Sequence, residues 1–301
     1  DGRNVDLWVV ETATQARRRL TFDSAADLSP TWSPDGRFIY FTSAPKRPGE
    51  QKPPYDGKRQ VWRIWPGGDE PFAVTRAESG ISQYELSRDG RSLYYAVGEE
   101  QTDDDFKDLR AKHKHLEYGH GVTKLSQVWK LDLESWRAEK LIDERRVIRS
   151  FAVSPDERRT AMITTADDSP MSKEGWSRVD VWNVATKKVA VLTPEDWRKD
   201  HPSPFGWVEG PAWSSDGLAL AFGLSFDGYP SELFVAEGTD DAMPVRKLNR
   251  PDEVDLADGG RLRWRGDTRE LCFVGESHAR KWACGLQDVR NGGAGEFRKL
   301  T

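Results

Sequence analysis

The chain has 301 residues, of which 37% are hydrophobic and 32% charged, a folded, well-charged composition with room for one large architecture or two ordinary domains. A net charge of -5 leaves no broad basic face for neutralising phosphates, which argues against a nucleic-acid partner. The longest apolar run, LALAFGL at 218–224, is far shorter than the roughly 18 to 20 residues of a spanning helix, so no membrane span is expected.

From its first residues the sequence reads as folded protein. No initiator Met and no basic-then-apolar leader precede it, so any targeting segment would lie upstream of Asp1 and the compartment stays open. DLWVV at 6–10 and the Leu20-Thr21 ending read as two short strands. TWSPDGRFIYFTS at 31–43 then reads as two antiparallel strands joined by a tight turn. Pro34 presets φ, Asp35 bonds local backbone, and Gly36 supplies the positive φ that reverses the chain. The apolar run Phe38 to Phe41 has the character of a strand covered on both faces. QVWRI at 60–64 and the Val74-Thr75 ending supply a third and fourth strand.

This four-strand unit recurs. ELSRDGRSLYYAV (85–97), AVSPDERRTAMIT (152–164), AWSSDGLALAFGL (212–224) and RWRGDTRELCFVG (263–275) paraphrase the first phrase. The serine or its equivalent falls at 33, 87, 154, 214 and 265, giving steps of 54, 67, 60 and 51 residues, which suit propeller blades with loop insertions. QVWKL (127–131), VDVWNV (179–184), ELFVAE (232–237) and CGLQDV (284–289) are the matching third strands. Leu141-Ile142, Leu192-Thr193, Leu248-Asn249 and Leu300-Thr301 end the fourth. Two strands followed by five units of four make twenty-two in all. The expected fold class is therefore all-β, a β-propeller of four-stranded blades, about five and a half of them in residues 1–301, as one domain. The chain starts on a third strand and ends on a fourth, so the termini do not complement each other. The expected ring is incomplete, and the chain reads as a fragment of a longer protein.

The repeat also sorts the side chains. Trp32, Trp213 and Trp264 share one repeat position and Trp8, Trp62, Trp129 and Trp182 another, which marks all seven as blade-packing core. Trp136, Trp176, Trp197 and Trp207 lie outside both positions, and the last two flank the proline-rich DHPSPFG loop. Cys272 and Cys284 fall in the second and third strands of one blade. They are expected to be free buried thiols, although neighbouring strands permit a bond.

The segment at 98–126, GEEQTDDDFKDLRAKHKHLEYGHGVTKLS from Gly98, is the least repeat-like and reads as an insertion within a blade, with a short helix after Asp103 to Asp105. Such excursions carry function more often than scaffold strands do. His113, His115 and His120 spell H-x-H-x4-H, a pattern compatible with a metal, but no cysteine accompanies them and H-x-H on a helix points the rings apart. A polar loop lining a domain interface or entrance is the plainer reading. No metal or other cofactor is assigned. Glu99, Glu100, His113, His115, Tyr118 and His120 stand as candidates for substrate or interface contact.

The LW/VW third strands, LT-type endings and W-S-P-D-G turns resemble the WD40-like propeller repeats shared by TolB-like proteins and the prolyl oligopeptidase family of serine peptidases. KDLRAKHKHLEYGHGVTKLSQVWKLDLESWRAEKLI (107–142), SRVDVWNVATKKVAVLT (177–193) and FDGYPSELFVAE (226–237) are similar to the acylaminoacyl-peptidase and dipeptidyl-peptidase branch. The resemblance covers essentially the whole chain. It implies a propeller that caps an α/β-hydrolase domain, a partner expected beyond Thr301, and restricts access to oligopeptides. That branch also holds a substrate's free amino terminus with acidic residues, and Glu99-Glu100 is a superficially suitable pair without the surrounding motif. The catalytic half is absent from these residues. Gly223-Leu224-Ser225-Phe226-Asp227 and Gly275-Glu276-Ser277-His278-Ala279 both lack the closing glycine of a G-x-S-x-G nucleophile elbow, and no run of βαβ units follows. A TolB-like interaction scaffold is the alternative, and a metal-dependent propeller enzyme using the three histidines a weaker one.

Overall fold

The computed structural model describes residues 5–99, 112, 125–165, 177–202, 206–226, 229–239, 243–257, 261–266 and 269–300. They form antiparallel sheets in simple up-and-down order. β1 (Trp8–Val10) and β2 (Arg17–Arg19) make a two-stranded sheet. β3 (Leu28–Trp32), β4 (Ile39–Ser43), β5 (Gln60–Ile64) and β6 (Phe72–Ala73) make the first four-stranded one. β7 (Gln83–Leu86), β8 (Ser92–Gly98), β9 (Ser126–Asp132) and β10 (Ala138–Arg146) follow, then β11 (Ile148–Val153), β12 (Arg159–Thr164), β13 (Arg178–Asn183) and β14 (Lys188–Val191). β15 (Trp207–Trp213), β16 (Ala219–Phe226), β17 (Tyr229–Glu237) and β18 (Val245–Leu248) form the fourth. The last sheet holds β19 (Asp255–Leu256), β20 (Arg263–Trp264), β21 (Leu271–Ser277), β22 (Arg280–Gln287) and β23 (Glu296–Lys299). Successive four-stranded antiparallel sheets in up-and-down order are the blades of a β-propeller, as the repeat requires.

The strand count differs from expectation by one. The inner strand of the last blade is broken into β19 and β20, both paired with β21, so the described residues hold 23 strands rather than twenty-two. By contact the chain falls into two compact units, residues 1–108 with 126–143, and residues 109–125 with 144–301. Of the helix expected within the insertion, Lys112 alone is described, and it is helical and exposed. Among the described residues no helix is long and apolar enough to cross a membrane.

The turns explain why one phrase was copied. In the first copy Ser33 Oγ donates to Asp35 Oδ1 at 2.6 Å and accepts from the Phe38 amide at 2.9 Å, while Asp35 accepts from the Arg37 amide at 3.0 Å and Gly36 sits at φ 69°. Ser87 with Asp89, Ser154 with Asp156, and Ser214 with Asp216 repeat the clasp at 2.6 to 2.7 Å. Among the described copies of this turn, the third puts a side chain at the reversing position, Glu157 at φ 58°. After the first and third turns comes a fully covered strand, every residue of β4 and of β12 being buried, whereas β21 alternates between buried and half-buried.

Cys284 pairs with Phe273 and Cys272 with Gly285, one position apart, so the alternation of strand side chains sends the two thiols to opposite faces. Both are free, and burial pushes both thiols up.

The expectation that all seven repeat-position tryptophans are core is corrected. Trp62, Trp182 and Trp213 are buried, but Trp8 is 59% and Trp32 49% exposed. The reason lies in pairing: β1 has β2 as its one partner among the described strands, and Trp8 and Trp32 line the same concave face beside the other edge of β1.

Candidate functional site

Of the residues nominated by sequence, Glu99 follows directly on β8, half-buried, and accepts a hydrogen bond from Gln127 Nε2 of β9 at 3.1 Å. That bond ties the start of the insertion to the strand that follows it. Glu100, His113, His115, Tyr118 and His120 lie outside the described residues. Among the described residues no group of three or more His, Cys, Asp or Glu side chains is placed to hold a metal ion.

The two elbow-like strings are ordinary strand. Gly223 to Phe226 sit in β16, in register against β15 and β17. Gly275 to Ser277 end β21, and His278 and Ala279, both at positive φ, make the two-residue hairpin into β22. Ser277 Oγ is 2.8 Å from His278 Nδ1, but the pair is a turn contact between sequence neighbours, not a nucleophile on a strand-to-helix bend.

Two clusters escaped sequence reasoning. A short 3-10 helix (Glu195–Asp200) lays Trp197 against Phe234 at 4.9 Å and against His201 at 4.3 Å. His201 Nδ1 meets Glu232 Oε2 at 2.9 Å, and Lys247 Nζ meets the other oxygen at 2.5 Å. Trp197 and the DHPSPFG loop that carries His201 were visible in the sequence, but nothing there paired them with Glu232. In the third blade Asp180 is fully buried between Arg146 and Arg178. Each donates to Oδ2 at 2.9 Å, while Arg178 Nε lies 2.9 Å from Oδ1 out of hydrogen-bond alignment. No periodicity marks those three residues as partners.

The surface beside β1 has a template inside the molecule. Trp213 Nε1 donates to the Ala152 carbonyl and Trp264 Nε1 to the Ala212 carbonyl, each at 3.0 Å. Each of these inner-strand tryptophans thus reaches the inner strand of the preceding blade. Trp32 holds the same repeat position. The preceding blade contributes β1 and β2 alone among the described strands, so the acceptor strand that Trp213 and Trp264 enjoy has no counterpart there. Tyr84 of the next blade does reach back, donating to the Ser29 carbonyl at 2.7 Å and the Tyr40 carbonyl at 2.9 Å; burial pushes its phenol up to about 12.

A cavity of about 430 Å³ lies between the end of β2 and the strands β4 and β5. Asp27, 3% exposed, lines it. Burial pushes the Asp27 carboxyl up, against the Ser43 and Thr21 hydroxyls that bond it, with Asp6 and Asp23 adding to the rise.

These blades define a β-propeller scaffold with an open strand edge and no catalytic constellation among the described residues. Comparison with known proteins agrees on the propeller fold. A stretch of 91 residues, 30% of this chain, is 30% identical to dipeptidyl-peptidase 5 of Porphyromonas endodontalis, of whose length it is 12%. Acylaminoacyl peptidase of Pyrococcus horikoshii superposes with a TM-score of 0.62 at 14% identity, over 98% of this chain and 41% of that one. TolB of Acinetobacter baumannii superposes with a TM-score of 0.57 at 11% identity, over 97% of this chain and 61% of that one. The chain thus spans less than two thirds of each of these proteins. No protein-family profile matches it. At such identities the likeness to the solved structures is one of fold.

Proposed function

We propose that residues 1–301 are the noncatalytic β-propeller of a serine peptidase of the prolyl oligopeptidase kind, packing on an α/β-hydrolase domain and gating oligopeptide access to it. The observation that carries this reading is the stretch 30% identical to a dipeptidyl peptidase, in a chain that has no nucleophile elbow of its own. In this reading the partner domain follows Thr301 and performs acyl transfer through Ser, His and Asp, while the propeller excludes folded proteins. Glu99 and Glu100, with His113, His115, Tyr118 and His120 of the insertion, face the incoming peptide or the domain interface. The open edge of β1 receives further strands from outside residues 1–301, one of which offers Trp32 Nε1 the carbonyl that Ala152 offers Trp213.

A fluorophosphonate probe applied to the full-length protein tests the reading. One labelled serine within a G-x-S-x-G that follows Thr301 is expected; no label and no such motif overturns it. Glu99→Gln with Glu100→Gln is expected to raise KM for peptides with a free amino terminus and leave amino-blocked peptides unchanged.

A TolB-like interaction scaffold is favoured by one specific observation. Arg63 lies 4.7 to 5.5 Å from the rings of Phe38, Phe72 and Trp136, and the last two are exposed, a surface suited to holding another protein. The metal-enzyme reading requires stoichiometric zinc or manganese that is lost in His113→Ala and His120→Ala.

A further inference from the structure

The cavity beside the first four-stranded blade contains two buried polar atoms with no hydrogen-bond partner among the described residues, Asp27 Oδ2 and Trp62 Nε1. Both residues are more than nine-tenths buried, at 3% and 4% exposure. An acceptor left unmatched in a buried site costs about 1–3 kcal/mol, so such atoms point to something that fills the space. Asp255 makes the contrast. Its Oδ1 alone accepts from the Ser231 and Leu256 amides, both at 2.8 Å, and its carboxyl is held below the usual range despite its desolvation. Asp27 has two hydroxyls for neighbours and, among the described residues, no cation paired with it.

The walls are aromatic. Phe22, Phe41, Tyr55 and Trp62 line the space, with the Tyr55 and Trp62 ring centroids 5.6 Å apart and tilted by 53°. Charge on the lining favours a cation: Asp23, Asp27, Asp69 and Glu70 stand against Arg19 and Arg47. Both arginines are already engaged. Arg19 is paired with Asp6 at 2.7 Å, and the Arg47 guanidinium lies over the Tyr55 ring, 3.6 Å from its centroid. A volume of about 430 Å³ is within the range of small-molecule sites.

We propose that this cavity binds a small organic amine, whose ammonium group donates to Asp27 Oδ2 while its hydrocarbon stem lies against Phe41, Tyr55 and Trp62. The aromatic faces hold the cation by their quadrupoles and the carboxylate fixes its position. A neutral alcohol of the same length offers a donor without the charge, and a trapped water satisfies the carboxylate without using the walls.

Titration of the full-length protein with n-butylammonium chloride and, separately, with n-pentanol distinguishes these, read by calorimetry and by tryptophan fluorescence. Saturable binding of butylammonium at least tenfold tighter than pentanol is expected, with a loss of tenfold or more in Asp27→Asn. Should Asp27→Asn fail to fold, Tyr55→Leu, on the half-exposed wall, is expected to weaken the amine severalfold while the circular dichroism spectrum is retained. Equal binding of amine and alcohol, no saturable binding of the amine to the unaltered protein, or undiminished amine binding by both variants overturns the proposal.

Discussion

Trp8 on β1 and Phe234 on β17 occupy the same position of the same repeat, and their surroundings are opposite. Trp8 is exposed, in a sheet of two strands. Phe234 is buried, stacked on Phe222 at 5.5 Å and touched edge-on by Trp197 and His201. The repeat therefore specifies where an aromatic side chain points but not whether anything meets it. Burial is decided by the neighbouring strands, and those belong to other stretches of the chain. Substitution at the two positions is the most forceful way to break the comparison. Phe234→Ala is expected to cost about 3–5 kcal/mol, the range for emptying a large aromatic from a packed core. Trp8→Ala in residues 1–301 is expected to stay within about 1 kcal/mol, as for an exposed side chain. Urea denaturation of both variants checks this. Repeating Trp8→Ala in the full-length protein sharpens it, because strands seated on the edge of β1 would move its cost toward that of Phe234→Ala.

Ion pairs repeat the contrast at a smaller scale. Asp180, with no exposed side-chain surface, is held between two arginines that are themselves largely buried, whereas Asp6 pairs with an Arg19 whose side chain is 35% exposed. Asp180→Ala leaves two guanidinium groups without their shared carboxylate and is expected to cost about 3 kcal/mol. Asp6→Ala removes a contact to one arginine that is partly exposed and is expected to cost about 1 kcal/mol, less than Asp180→Ala. A larger loss from Asp6→Ala than from Asp180→Ala, measured by thermal melts in parallel, would reverse the ranking of the two regions.

The sequence made the turns and the strand order legible because both are local. Ser33, Asp35 and Gly36 bond within five residues of each other, and their copies could be aligned by eye. What joins distant segments was not legible. Arg146 meets Asp180 across 34 positions, and His201 meets Glu232 across 31. Asp27 carries no mark in sequence that separates it from other loop aspartates; its isolation arises from burial beside β4 and β5. The candidate site was thus less visible than the fold. Glu99 was found through its place at the edge of the insertion, and its bond to Gln127 depends on a register that the irregular spacing there hid.

Carboxylates divide along the same line, with pH as the probe. Asp35 is held below its usual 3.8 by the Ser33 hydroxyl and the Arg37 amide, and Asp89 by the Arg91 amide and the Ser87 hydroxyl. Desolvation works against Asp216, yet Ser214, the Leu218 amide and Arg290 still bring it down. Groups depressed in the folded state contribute stability that is present above their ordinary value and is lost as pH falls through the folded one. Asp27 has the opposite sign. Its carboxyl is raised, so its contribution is fully present below 3.8 and is lost as pH rises through the folded value. Melting temperatures of the protein and of Asp27→Asn, followed from acid toward neutral pH, are expected to shift steadily in favour of the variant. A difference independent of pH would mean that Asp27 titrates alike in the folded and unfolded chain.

The smallest expected effect isolates backbone from packing within one motif. Gly36 and Glu157 hold the reversing position of their turns at φ 69° and 58°, and a Cβ added at Gly36 would meet no atom within 4 Å. Gly36→Ala therefore introduces the left-handed backbone penalty, about 1 kcal/mol, partly offset by the lower freedom of the unfolded chain, so a net loss of about 0.5 kcal/mol is expected. Glu157→Gly removes that penalty but gives the unfolded chain more freedom, so a net gain of about 0.5 kcal/mol is expected. Opposite shifts of the urea midpoint in the two variants would show that the repeated turn acts through its φ alone. A loss in Glu157→Gly would instead mean that the Glu157 side chain contributes more to its blade than the strain of its conformation costs.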